Sequence, residues 1–178
     1  MFDNQDEDHH AFDDIKGMPI FKKAEIIREL TQKIVDIISR EESNAQNDYE
    51  AKMLDQYAEY LFTNSSIIPA KIAGAESGDI YDLRMENAAI IRKSAREIIT
   101  DCRGLEIAGF KEVDYLNLIR NEIEEFRILF TEWVKTFDQG NYIIDRWGLF
   151  NPPGVNYDDQ DPDDDIPFDP EDFFNDLD

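Results

Sequence analysis

Residues 112–137 read EVDYLNLIRNEIEEFRILFTEWVKTF, and their spacing decides the fold class. Tyr115, Ile119, Ile123, Phe126, Phe130, Trp133 and Phe137 follow one another at intervals of 4, 4, 3, 4, 3 and 4 residues. A helix of about 3.6 residues per turn gathers side chains so spaced on one face. Leu118, Leu129 and Val134 widen that stripe beyond the narrow seam of a coiled coil, as a globular core requires. Asp138-Gln139-Gly140-Asn141 then supplies turn chemistry.

Working outward, the same periodicity recurs upstream. Ile27, Leu30, Ile34 and Ile38 mark a helix over 19–42, with Pro19 in its first turn, where a missing N–H costs least. Tyr49, Met53, Tyr57, Tyr60 and Leu61 mark a second, capped by Asn47 or Asp48 and kinked at Pro69. Its small residues Ala70, Ala73, Gly74 and Ala75 invite close approach of another backbone. A third helix over about 79–103, with Asp79 as N-cap, carries Ile80, Leu83, Ala88, Ile91, Ala95 and Ile98 and is closed by Gly104 or Gly109. No segment alternates with period two for long enough to predict a strand. The expectation is an all-α fold, an antiparallel up-down four-helix bundle over 16–150 with a packed C-terminal extension. The aromatic run 142–150 forms that extension.

The 178 residues carry 41 acids against 18 bases, a net charge of -23, but the excess is uneven. Residues 1–15 hold six acids and 148–178 hold eleven, with no base in either, so the intervening body is left near -6. Residues 1–15 read as an acidic N-terminal arm and 151–178 as an acidic-aromatic tail, both disordered or loosely packed. The acidic balance argues against nucleic acid and anionic membranes as partners of the whole chain. Arg92, Lys93 and Arg96 form its one small basic cluster, which reads first as a solvated helix face. No apolar run reaches the length of about 20 residues that a membrane span needs. The start, Met1-Phe2-Asp3-Asn4-Gln5-Asp6-Glu7-Asp8, is acidic where a secretory signal is basic and then apolar. Cys102 has no second cysteine to pair with in the chain. A soluble, cytoplasmic protein is expected.

Few residues could carry chemistry. Both histidines, His9 and His10, lie in the N-terminal arm, so the body offers no base for a Ser or Cys nucleophile and no zinc ligand set. The Glu-x-x-His pair of a di-iron bundle is missing, as is a phosphate loop with its lysine. No cofactor or metal is assigned. One enzyme reading survives: Glu122 and Glu125, with Glu76, Asp79 and Asp82, could hold magnesium across a bundle, as in all-helical nucleotide pyrophosphatases. The simpler reading pairs Glu122 with Arg92 or Arg96. The stripe Phe126, Phe130, Trp133 and Phe137 reads as core before it reads as ligand pocket.

The tail mixes acids with apolar anchors: Asp163, Asp164, Asp165, Ile166, Pro167, Phe168, Phe173 and Phe174 are the candidate partner-binding residues. Asp163-Asp164-Asp165-Ile166-Pro167-Phe168 resembles the C-terminal tip by which bacterial single-stranded-DNA-binding proteins recruit DNA-maintenance enzymes. In that family the Phe is the last residue, whereas here Asp169 follows. Residues 53–110, with Gln56, Ser66-Ile67-Ile68-Pro69-Ala70-Lys71-Ile72-Ala73-Gly74-Ala75-Glu76, Asn87-Ala88-Ala89 and Leu105-Glu106-Ile107-Ala108-Gly109-Phe110, resemble the small four-helix bundle proteins of ribosomal RNA intervening sequences and the accessory proteins of diversity-generating retroelements. That resemblance implies an up-down bundle that self-associates into a ring, with a basic surface for nucleic acid, and a bacterial source is expected.

Three readings of function follow. The leading one is a non-catalytic, self-associating interaction or scaffold protein, a homo-oligomer whose tail docks on a protein partner with a basic and apolar groove. The alternatives are a magnesium-dependent nucleotide pyrophosphatase and a nucleic-acid-associated protein autoinhibited by its acidic arms.

Overall fold

A computed structural model describes residues 14–41 and 48–160. Over those residues the chain is all-helical and has no β-strand. A single helical turn at 14–17 precedes α1 (Pro19–Glu41), α2 (Asp48–Glu76), α3 (Tyr81–Ile107) and α4 (Val113–Val134). The helices touch in a closed sequence, α1 on α2, α2 on α3, α3 on α4 and α4 on α1. The α2–α3 pair has the most extensive contact and the α3–α4 seam the least.

The core is the apolar stripes meeting along the axis. Ile27, Ile34 and Ile38 of α1, Leu61, Ile68 and Ile72 of α2, Ile91, Ile98 and Leu105 of α3, and Leu116, Ile119 and Phe126 of α4 are almost entirely buried. Small residues let α2 and α3 close up. Gly104 of α3 lies directly under the Tyr57 ring of α2, where a Cβ would overlap the ring carbons. Asn64 Nδ2 donates to Asp101 Oδ2 at 3.0 Å inside the same interface. Burial raises the Asp101 carboxyl above its ordinary value, and the Asn64 hydrogen bond opposes that rise.

Several local details depart from the periodicity. On α4, Tyr115 and Leu118 are exposed and Leu116 is buried in their place. Leu83 of α3 and Tyr49 and Tyr60 of α2 likewise face outward. α2 runs unbroken through the buried Pro69. Asp79 does not cap α3: Ile80 occupies that position without a side-chain bond. Instead Asn141, from the turn after α4, accepts the Tyr81 N–H on its carbonyl at 2.7 Å and donates Nδ2 to the Asp79 carbonyl at 3.2 Å. α3 ends through Gly109, whose φ of +92° lets Phe110 N–H reach back to the Leu105 carbonyl at 3.0 Å.

Three polar knots fasten the helices. Lys23 of α1 donates to Glu122 at 2.7 Å and Glu125 at 2.6 Å on α4. Arg120 of α4 donates to Glu106 of α3 at 2.7 Å. Near the ends of α2 and α4, Glu76 accepts Trp133 Nε1 at 2.7 Å and the guanidinium of Arg84, which also lies 4.2 Å over the Phe137 ring.

Candidate functional site

The tail residues Asp163, Asp164, Asp165, Ile166, Pro167, Phe168, Phe173 and Phe174 lie outside the described residues, as does the N-terminal arm up to residue 13.

The magnesium set does not converge. Glu122 and Glu125 both turn to Lys23 of α1, not to Arg92 or Arg96. Those carboxylates, Glu122 first, raise the Lys23 ammonium above its ordinary value by accepting its hydrogen bonds. Asp82 spends Oδ1 on the backbone N–H of Ile143 at 2.8 Å, Asp79 is exposed, and Glu76 is held by Arg84 and Trp133. Among the described residues no three His, Cys, Asp or Glu side chains are grouped so as to hold a metal ion. Cys102 is fully buried, and burial, opposed by the nearby charge of Arg120, pushes its thiol up to about 12, so it is a core residue and a poor nucleophile.

Glu122 is committed to Lys23, and among the described residues Arg92 and Arg96, both exposed on α3, make no ion pair. They rim a cleft of about 330 Å³ along the loose α3–α4 seam. Its floor is Ala95, Ile99, Ile123, Phe126 and Phe130, and Arg127 stands on the opposite rim beside Glu124. The Phe126 and Phe130 rings lie 6.2 Å apart and tilted, so the floor is an aromatic surface continuous with the core. A groove of this kind, apolar below and cationic at the lip, suits an acidic peptide with apolar side chains.

The second feature is the loop after α4. Asp145 accepts three backbone N–H groups, Trp147 at 2.8 Å, Leu149 at 2.8 Å and Phe150 at 2.9 Å. Those bonds, Trp147 first, hold its carboxyl below the ordinary value against a desolvation effect of opposite sign. Asn151 closes the other side, donating Nδ2 to the Asp145 carbonyl and accepting the Asp145 N–H. Arg146 clamps the following segment through the carbonyls of Tyr157 and Asp159 at 3.0 and 2.7 Å. The loop is anchored to the helices by Ile144, which is buried, and by Asp82. What this scaffold displays is apolar: Trp147 is 91% exposed and Leu149 75%. They line a shallow cleft together with Leu83.

The Asp145 bonds carry a pH dependence. A carboxyl held low in the folded state favours that state above its ordinary value of 3.8, and the benefit is lost as pH falls through the lower folded value. Asp145→Ala is expected to release the loop at neutral pH, and acid below pH 3.8 to do the same to the native chain. Amide exchange at Trp147, Leu149 and Phe150 checks this, with the α1–α2 core amides as the unmoved control.

The chain matches no protein-family profile, no curated protein and no solved structure. Among the described residues no helix is long and apolar enough to cross a membrane.

Proposed function

We propose that this chain is a non-catalytic helical interaction protein: an antiparallel up-down four-helix bundle that self-associates in the cytoplasm and engages a protein partner through its acidic-aromatic tail. The observation that carries this reading is the Asp145 loop. A tryptophan and a leucine are presented almost fully to solvent on a backbone tied down by Asp145, Arg146 and Asn151. Apolar anchors that are ordered before contact lose less entropy on binding, and exposed aromatics of this kind dominate interface energetics. The engagement of the body's acids in helix-to-helix ion pairs supports a structural role for them.

Sedimentation of the full chain over a range of concentrations tests the first half. Concentration-dependent association is expected, and Trp147→Ser is expected to weaken it by about tenfold or more. A monomer at every concentration would remove self-association from the proposal. The second half is tested with a synthetic peptide of residues 155–178 as bait. It is expected to retain a protein that a scrambled copy of equal charge does not, and equal retention by both would end the docking role of the tail.

A further inference from the structure

We infer that the α3–α4 groove is the docking site for this chain's own residues 161–178. The inference rests on the reading that the tail is a docking segment and gives it an intramolecular partner. Three observations converge on it.

The first is chemical complementarity. Residues 161–178 hold nine acids, no base, and the apolar side chains Ile166, Phe168, Phe173, Phe174 and Leu177. The groove offers the reciprocal set, an apolar floor of Ala95, Ile99, Ile123, Phe126 and Phe130 under Arg92 and Arg96, with Arg127 on the opposite rim paired to Glu124. A partner groove lined by bases and apolar pockets is what the composition of the tail calls for, and the body contains one. The second is the state of the arginines. The acids that line the same surface, Glu97 and Glu124, pair with Lys93 and Arg127, and Glu122 turns to Lys23 of α1. Among the described residues these two exposed guanidinium groups, of Arg92 and Arg96, make no ion pair, in a chain with a net charge of -23.

The third is reach. The last described residues leave from the Asp145 loop, which is joined to the start of α3 by Asp82 and Leu83. Arg92 lies ten residues further along the same helix, about 15 Å at a helical rise of ~1.5 Å per residue. Eighteen extended residues span up to about 60 Å, so the tail crosses that distance with slack. A tether of this length supplies an effective concentration on the order of mM, so a groove of even millimolar intrinsic affinity is about half filled within one molecule. In this state the tail is masked from other proteins, and a competitor with a better basic groove draws it out.

The test uses the full chain. Asn175→Cys introduces a thiol in the tail that takes a nitroxide label, because buried Cys102 does not react. Amide signals of Ala95, Ile99, Ile123 and Phe130 are expected to lose about half their intensity in the oxidised label state. They are expected to recover when salt screens the contact and in the Arg92→Glu/Arg96→Glu double variant. Both arginines are exposed, so the variant keeps the fold, and far-UV circular dichroism checks that it does. Unchanged groove signals would overturn the inference. So would broadening that survives charge reversal, or broadening that appears only between a labelled chain and an isotope-enriched second chain. A peptide bait that still retains a specific protein, with the groove signals unchanged, would leave the proposed function standing and remove the intramolecular contact alone.

Discussion

Phe126→Ala is expected to lower the unfolding free energy by about 3–5 kcal/mol, measured as a drop in the urea midpoint with the slope unchanged. Phe126 is 2% exposed and lies at the point where the core of α4 becomes the floor of the α3–α4 cleft. Truncation removes its contact with Phe130 and leaves a void on the side where the seam is already loosest. A tight interface could relax into part of that void. Here the opposing α3 residues are Ala95 and Ile99, and the methyl of alanine has no rotamer by which to reach inward. The cost therefore sits towards the upper part of the range for large-to-small changes. Phe126→Leu retains most of the volume and is expected to cost about 1.5 kcal/mol or less. If Phe126→Ala left the midpoint within the scatter of surface substitutions, the placement of this ring in the core would be wrong.

Much of the helical content was legible because each helix buries a stripe long enough to impose its own period. Ile27, Ile34 and Ile38, then Ile91 and Ile98, then Ile119, Ile123 and Phe126 are buried as their spacing requires. The errors have a geometric source. Residues four apart advance about 40° beyond a full turn, so two such steps from Ile123 back to Tyr115 carry the stripe about 80° off the core. Leu116, seven residues before Ile123, returns within about 20° of it and is the residue buried. Asp79 was a reasonable cap by residue type, but the first N–H of α3 is satisfied by Asn141, sixty residues on, which local sequence does not announce.

The groove shows the same division. Both halves were visible separately, Arg92, Lys93 and Arg96 as a basic cluster and Phe126 and Phe130 as an aromatic stripe. Their meeting across one seam depends on how α3 and α4 turn towards each other. Glu122, for its part, turns to Lys23, ninety-nine residues away in sequence, and not to those arginines. The Asp145 loop left a weaker trace. The run 142–150 was too aromatic for a free linker, but three N–H bonds to one carboxylate are a property of backbone conformation.

Trp133 should give the other large effect, and here two substitutions separate packing from hydrogen bonding. The indole is 5% exposed, stacks edge-on against Phe137 with ring centroids 4.8 Å apart, and donates Nε1 to Glu76 at 2.7 Å. Glu76 in turn holds Arg84, whose guanidinium covers the other face of the knot over Phe137. The end of α2, the start of α3 and the end of α4 are thus joined through one side chain of each and the ring that follows α4. Trp133→Phe keeps an aromatic ring in the site and removes the donor. Because Arg84 remains to satisfy the Glu76 carboxylate, the expected loss is about 1.5–3 kcal/mol, the scale of one hydrogen bond to a charged group. Trp133→Ala removes the ring as well, with an expected loss of about 3–5 kcal/mol. It also withdraws support from Phe137 and, through the turn that follows, from Asn141, which caps α3. The Ala variant should therefore lose amide protection in the first turn of α3, about fifty residues from the substitution in sequence. Equal losses for Phe and Ala would mean that the Glu76 bond dominates. Loss confined to α4 would mean that the knot does not transmit to α3.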